Sequence, residues 1–275
     1  MIANQLPAWA IEAARLARTA ALRIVSPAER RWRSLRGAEP LPPLWLRRHA
    51  GPIRAFSRAA DDCRQQLLAW NAFAPAASIL DLGCGPGAMA LSLRDDLAPP
   101  ARYLGIDVHA PSIRWCRDAF GGDRRFRFET ADVASPFGAG TVPVGRYRVP
   151  AADGSVDLVI AKSLFTHLTR TEAMHYLGEI RRVLAHGGAA LVTAFLFGGG
   201  VTVPAFPHGD GDFRWRIRNR PAAAAAFGID RFAEMLEAAD LWIEKSLFGF
   251  HPGTARVPTG QDVLLLRRKW LPVWS

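Results

Sequence analysis

The chain has 275 residues, of which 49% are hydrophobic and 22% charged. This length and composition suit a folded protein with a full core and argue against a disordered chain. Without an apolar run near the ~20 residues that cross a bilayer, a spanning helix is not expected. The net charge of +10 is concentrated in residues 1–60, which hold eleven arginines against three glutamates.

Residues 8–36 are predicted to form a basic amphipathic helix. Its apolar stripe comprises Trp9, Ala13, Leu16, Ala17, Ala20 and Ile24. Such a helix can lie on an anionic membrane or contact nucleic acid, or it can pack its stripe on the domain; we favour packing. Arginines interrupt the stretch too often for a secretory signal, although an Arg-rich start with few acidic residues also fits a transit peptide.

Prolines and a glycine between residues 37 and 43 predict the end of this helix and a linker. We therefore divide the chain into a basic extension with its linker, residues 1–45, and a domain over residues 46–275. A second helix is predicted over residues 53–73. The chain has three cysteines and no C-x-x-C pair, which favours a reducing compartment and a cytoplasmic location.

The stretch from Ser78 to Gly87 reads Ser-Ile-Leu-Asp-Leu-Gly-Cys-Gly-Pro-Gly. An apolar run that ends in alternating glycines predicts a buried strand turning directly into a helix. Glycine backbone there lets a ligand approach the main chain, and the following helix begins with unpaired N–H groups. Gly83, Gly85 and Ala88 also satisfy the dinucleotide pattern G-x-G-x-x-A, so this turn alone does not identify the ligand.

Acidic residues end the next two predicted strands. Residues 102–107 end in Asp107, 20 residues after Gly87, and a carboxylate there can accept ribose hydroxyls. NAD would satisfy Asp107 equally well. The third strand, residues 125–132, ends in Asp132.

Residues 81–87 resemble the acidic-x-Gly-x-Gly-x-Gly signature of class I S-adenosylmethionine-dependent methyltransferases. The resemblance covers about residues 75–200, and the segment ending in Asp132 favours this family over dinucleotide oxidoreductases. It implies that Asp81 helps hold the cofactor's ammonium group, Asp107 its ribose and Asp132 its adenine amino group. The cofactor-binding residues implied are Asp81, Gly83, Cys84, Gly85, Gly87, Asp107, Val108, Asp132, Val133, Ala161 and Lys162.

Strands and helices alternate through the domain, which predicts a Rossmann-like, doubly wound α/β fold. We expect a mostly parallel seven-stranded sheet with an antiparallel last strand, as in the family. The long loop over residues 133–155 is typical of a binding element, and residues 146–150 within it are candidates for a short extra strand. Asp230 is the predicted N-cap of a late helix.

Methyl transfer from a sulfonium depends chiefly on positioning, but a hydroxyl acceptor also needs a general base. His167, which follows the fourth strand, is our first candidate. The other candidates are His208, Asp210, Asp212 and His251.

Residues 196–228 correspond to the segment that shapes the substrate site in the resembling family, and Phe165, His208 and Trp215 are the candidate substrate-binding residues. Neither an Asn/Asp-Pro-Pro-aromatic sequence nor a Pro-Cys pair follows the fourth strand, which argues against methylation of nucleic-acid bases. We predict no metal, because no tight carboxylate cluster stands out.

These features predict S-adenosylmethionine-dependent methylation of a small molecule, such as a hydroxyl on a sugar, glycolipid or secondary metabolite. The alternative is a methyltransferase-fold protein whose basic arm engages RNA or an anionic membrane surface.

Overall fold

The computed structural model describes residues 8–198, 205–249 and 260–269. The α-helices in these ranges are α1 (Ala8–Leu35), α2 (Leu44–His49), α3 (Phe56–Ala69), α4 (Ala88–Leu93), α5 (Ala110–Phe120), α6 (Arg170–Val183) and α7 (Ile229–Ala238). The strands are β1 (Ser78–Leu82), β2 (Arg102–Asp107), β3 (Phe126–Thr130), β4 (Val156–Ala161), β5 (Leu184–Ala194), β6 (Leu196–Phe197), β7 (His208–Asp210), β8 (Phe213–Trp215), β9 (Ala225–Gly228), β10 (Leu241–Leu247) and β11 (Asp262–Arg268).

The main sheet has the strand order β3-β2-β1-β4-β5-β11-β10. Strand β1 pairs in parallel with both β2 and β4, while β11 runs antiparallel to its neighbours β5 and β10. The predicted Rossmann-like sheet with an antiparallel last strand is therefore confirmed. Chain order reverses between β1 and β4, the point where open α/β sheets place their ligands.

Alternating side chains in β1 supply the two layers of the core. Ile79 belongs to a buried cluster with residues of α3, α4 and α5, whereas Leu80 belongs to one with residues of α6 and α7. Successive strand residues point to opposite faces, so one short strand anchors helices on both sides. Each fully buried side chain of this kind contributes about 1.5–3 kcal/mol, which fixes the end of β1 firmly.

Two local predictions within the domain were wrong. Residues 146–150 do not form a strand: residues 144–146 form a 3-10 helix, in which the Pro143 carbonyl accepts the Arg146 N–H, and no strand follows it up to residue 150. Helix α7 begins one residue before Asp230, with Gly228 at its N-cap. Asp230 therefore lies in the first turn, where a negative charge still suits the helix dipole.

The segment between β5 and α7 forms a second, small sheet in the order β6-β9-β8-β7. Phe197 and Ala226 of this sheet belong to a separate buried cluster with Phe195 and Phe206, whereas Phe213 and Phe227 belong to the main core. The predicted insert at residues 196–228 thus has its own folded structure among the described residues.

The N-terminal helix packs with a face different from the predicted one. Leu16 and Ile24 of the predicted stripe are 64% and 78% exposed, while Ser26 is buried. The Ser26 hydroxyl accepts the N–H of Leu44 at 3.0 Å, so the helix contacts α2 through polar groups. The periodicity of the sequence correctly identified an apolar face of the helix, but it could not show whether that face packs on the domain. No helix in the described part of the chain is both long and apolar enough to cross a membrane.

Candidate functional site

A cavity of about 240 Å³ opens at the carboxyl ends of the parallel strands. It is lined by the loop after β1, the ends of β2 and β4, and residues that follow β3. The loop after α2 and the start of α6 close its sides. Of the predicted cofactor residues, those lining it are Asp81, Gly83, Cys84, Gly85, Asp107, Val108, Val133 and Lys162.

The glycine loop is held against β2 by backbone hydrogen bonds. The N–H groups of Gly83 and Cys84 donate to the Ile106 carbonyl at 2.8 and 3.0 Å. Gly85 has a φ of +52° and Gly87 a φ of +75°, which L side chains rarely adopt. A Cβ on Gly87 would lie 3.0 Å from Cys116 Sγ. Gly87 therefore shapes the turn without lining the cavity itself.

Asp81 lies on the floor of the cavity and is only 2% exposed. The Tyr103 hydroxyl donates to its Oδ2 at 2.5 Å. Burial raises the pKa of Asp81 to about 7, an effect that the Tyr103 hydrogen bond and the positive charge of Lys162 partly oppose. This carboxyl group is poised to ionise fully when a cation enters the cavity.

Asp107 sits at the end of β2 with each carboxylate oxygen bound to backbone. Oδ2 accepts the Gly85 N–H at 2.7 Å and Oδ1 accepts the His109 N–H at 2.7 Å. Burial raises the pKa of Asp107, while these two N–H groups and His49 oppose the rise. Because a carboxylate offers about four acceptor sites, Asp107 can still accept hydroxyls from a ligand.

The structure does not bring every predicted cofactor residue to the cavity. Asp132 is exposed and its carboxylate accepts the Thr141 N–H at 2.6 Å, closing the loop that follows β3. Its expected contact with adenine stays a prediction, and the flanking Ala131 and Val133 line the cavity. Ala161 is fully buried in the sheet behind it.

His167 lines the cavity from the 3-10 helix Phe165–His167 that follows β4. Its Nδ1 lies 2.9 Å from the Ala222 carbonyl, which can only accept, so Nδ1 carries a proton. The pKa of His167 is lowered, mainly by burial, so the ring is neutral at pH 7. In that state Nε2 carries a free lone pair and can accept a proton.

Three further side chains around His167 were not predicted. Glu172 lines the cavity, but its Oε2 accepts both the Thr169 N–H at 2.7 Å and the Thr169 hydroxyl at 2.9 Å. Tyr147 and Tyr176 line the same wall. Burial is the main reason that the pKa of each phenol is raised, that of Tyr147 to about 12. Both phenols remain protonated donors near neutral pH. A phenol within a long loop or in mid-helix carries no local sequence signal.

The loop of residues 133–155 supplies another unpredicted contact. Phe137 lines the cavity, and its ring centroid lies 5.0 Å from that of His167 in an edge-on arrangement. The sequence marked this loop as a binding element by its length, but gave no indication of which side chain enters the site.

His49 closes the cavity from the end of α2. Its ring stacks on His109 with centroids 3.8 Å apart. Burial is the main cause that lowers the pKa of both rings, that of His109 to about 4, so two neutral rings stack at pH 7. The sequence could not find His49 because it lies in a short segment where no helix was predicted, far along the chain from the strand ends.

The predicted substrate residues lie away from the cavity lining. Phe165 is fully buried against Phe232, while His208 and Trp215 face each other across the β7–β8 pair. Two other candidate bases, Asp210 and Asp212, pair instead with Arg170. The remaining candidate, His251, lies outside the described residues.

The end of β4 makes a sharp turn into the site. Ser163 has a φ of +59°, an unusual conformation for a residue with a side chain. Its N–H donates to Thr193 Oγ1 at 2.7 Å, and Thr193 is buried in β5. This contact directs Ser163 and Leu164 to the cavity.

Burial raises the pKa of Cys84 well above its usual range, so this thiol is uncharged at neutral pH and is a poor nucleophile. The part of the chain that the structure describes holds no group of three or more His, Cys, Asp or Glu residues arranged to bind a metal.

Comparison with known proteins finds similarity over the middle of the chain. Residues 79–188 match the family model described as "Methyltransferase domain". A malonyl-acyl-carrier-protein O-methyltransferase of Geobacter sulfurreducens is 35% identical over 124 residues, which cover 45% of this chain and 40% of that protein. Two further curated relatives are covered to 29% and 48%, so this chain spans less than half the length of the curated relatives it matches.

Solved structures share the fold at low identity. A Burkholderia thailandensis 1,6-didemethyltoxoflavin-N1-methyltransferase, solved with 1,6-didemethyltoxoflavin and S-adenosylhomocysteine, aligns with a TM-score of 0.51 at 19% identity. The alignment covers 97% of this chain and 92% of that one. The cyclase SpnF aligns with a TM-score of 0.54 at 20% identity, covering 77% of this chain and 82% of that one.

Proposed function

The chain carries a class I S-adenosylmethionine-dependent methyltransferase domain, and on that premise we propose that it methylates a hydroxyl of a small-molecule acceptor. The observation that carries this proposal is the position of His167. Its ring lines the same cavity as the glycine loop, Asp81 and Asp107. The fold alone would not suffice, because one scaffold hosts many reactions and a cyclase shares this one.

The residues at the cavity fit the cofactor by chemistry. Asp81 offers a buried carboxylate for the ammonium group, and Asp107 offers acceptor sites for the ribose hydroxyls. Val108 and Val133 provide apolar surface for the adenine. When bound, the cofactor supplies a methyl group already activated by its positive sulfur.

His167 then acts as the general base. Its Nδ1–H is committed to the Ala222 carbonyl, which orients the ring and leaves Nε2 to take the acceptor's hydroxyl proton. Glu172 is the other candidate on this wall, but the helix cap occupies its Oε2. Tyr147 and Tyr176 stay protonated and are suited to donate hydrogen bonds to the acceptor.

Two segments outside the main sheet supply the acceptor side of the cavity. Ala222 belongs to the 196–228 insert, and Phe137 to the loop after β3. We assign substrate selection to these two segments. Ala222 both lines the cavity and orients His167, so the insert influences acceptor fit and catalysis together.

A second candidate acceptor is a carboxylate carried on an acyl carrier protein. It is favoured by the Geobacter relative, whose name describes that reaction. A carboxylate is already ionised at neutral pH and needs no general base. The two acceptors therefore differ in whether they depend on His167.

The experiment measures S-adenosylhomocysteine release with a panel of hydroxyl compounds and a malonyl carrier protein. For a hydroxyl acceptor, His167→Ala lowers kcat by roughly 10²–10⁴ without weakening cofactor binding, and the wild-type rate rises with pH through a pKa below 6.5. His186→Ala is the matched control, because His186 is exposed at the start of β5 and does not line the cavity. Wild-type turnover by His167→Ala would refute the base assignment.

A further inference from the structure

Helix α1 presents its apolar face to solvent instead of to the domain. Leu16, Ile24 and Leu35 are 64%, 78% and 80% exposed, and Val25 and Trp32 are also exposed. At 100° per residue these side chains lie within about half of the helical circumference. The same arc holds exposed alanines at positions 13, 14, 17, 20, 21 and 28.

The opposite face of α1 joins the domain through polar contacts. Ser26 Oγ accepts the Leu44 N–H at 3.0 Å, and Glu29 pairs with the buried Arg47 at 2.6 Å. Glu29 and Ser26 are one turn apart, so this polar edge holds α1 in a fixed rotation. The apolar arc consequently faces away from α2.

Arginines border the apolar arc on both sides. Arg18 follows one border of the arc, and Arg23 and Arg30 follow the other, while Arg31 lies within it; all four are exposed. An apolar face bordered by arginines is the pattern of a helix that lies in the interface of an anionic membrane. Long arginine side chains can reach the headgroups while the apolar side chains enter the acyl boundary.

We infer that α1 is a docking surface for anionic lipid headgroups. The charge of the surface selects this occupant over a second copy of the chain, since two such helices side by side would bring their arginines together. RNA would engage the arginines but would give no reason for exposed Ile24 and Leu35. The inference does not depend on the proposed function.

Sedimentation with vesicles tests it on the full chain. We expect binding to phosphatidylcholine vesicles that contain phosphatidylglycerol, weak binding to phosphatidylcholine alone, and a decrease with added salt. Arg18→Gln/Arg30→Gln/Arg31→Gln should weaken binding about a hundredfold, because each basic residue near the surface strengthens binding about fivefold. The matched control, Arg102→Gln/Arg124→Gln/Arg218→Gln, removes equal charge from exposed positions elsewhere and should bind more tightly than the α1 variant.

The apolar contribution is tested separately. Ile24→Ser/Leu35→Ser should weaken vesicle binding at least about tenfold, whereas the control Ile217→Ser/Trp242→Ser, at other exposed apolar positions, should not. Circular dichroism and S-adenosylhomocysteine binding verify that each variant is folded.

Three results would overturn the inference. One is equal loss of binding in the α1 variants and their controls. Another is wild-type binding to poly-uridine but not to the anionic vesicles. The third is a dimer in vesicle-free solution that Ile24→Ser/Leu35→Ser dissociates, which would assign the face to a second copy.

Discussion

Replacing Asp81 by Asn removes a carboxyl group from the floor of the cavity with little change in size. Burial raises the pKa of Asp81 to about 7, from 3.8 in water. The Tyr103 hydroxyl, which donates to Asp81 at 2.5 Å, can donate equally to the amide oxygen of Asn. The substitution therefore isolates the titration of one buried group.

The sign of the effect follows from the raised pKa. Between about pH 4 and 7 the folded protein keeps a proton on Asp81 that the unfolded chain has released. The stability of the wild type consequently falls as pH rises through this window, and the loss is complete above the folded pKa. A folded pKa of about 7 against 3.8 in the unfolded chain corresponds to about 4 kcal/mol.

Urea unfolding of the cofactor-free protein at several pH values measures this effect. The free energy of unfolding of Asp81→Asn, minus that of the wild type, should increase by up to about 4 kcal/mol between acid and mildly alkaline pH. A difference that does not change with pH would refute the raised pKa. Calorimetry adds a second readout, because binding of the cofactor's ammonium group below pH 7 should release a proton in the wild type only.

Three further outcomes follow from the site. Gly87→Ala should destabilise the protein by about 1–3 kcal/mol in urea unfolding, because its φ is +75° and Cys116 Sγ is close, whereas Gly122→Ala has open space and should not. Asp107→Asn should weaken cofactor binding about tenfold or more in calorimetry, since an amide retains one acceptor oxygen; the exposed Asp118→Asn should bind normally. Iodoacetamide should leave the three buried cysteines unmodified in the native protein and label all three after unfolding; rapid labelling of native Cys84 would contradict its raised pKa.

Local signals predicted the parts of the site that lie at strand ends. Asp81 lies near the end of β1, just before the glycine turn, and Asp107 ends β2; the structure brings all of them to one cavity. His167 lines the same cavity, and the sequence singled it out because it lies shortly after the buried strand β4. These residues depend on the chain's own backbone path, which periodicity and turn chemistry describe well.

Tertiary contacts, which local sequence signals do not reveal, determined the positions of the other residues of the site. His49 reaches the cavity because α2 forms where no helix was predicted, and Phe137 because a long loop folds inward. Asp132 accepts the Thr141 N–H and does not line the cavity, a contact that the strand ending in it does not reveal. The packing face of α1 was mistaken for the same reason, since Ser26 found its partner in a helix that the sequence did not predict.

Titration calorimetry with S-adenosylhomocysteine tests the central claim most directly, namely that the strand ends around the glycine loop form a binding site for the cofactor. We predict saturable uptake of one ligand per chain by the wild type, and its loss in Gly85→Val, where the left-handed backbone excludes a branched side chain. Absence of uptake by folded wild-type protein, or undiminished uptake by folded Gly85→Val, would contradict the account.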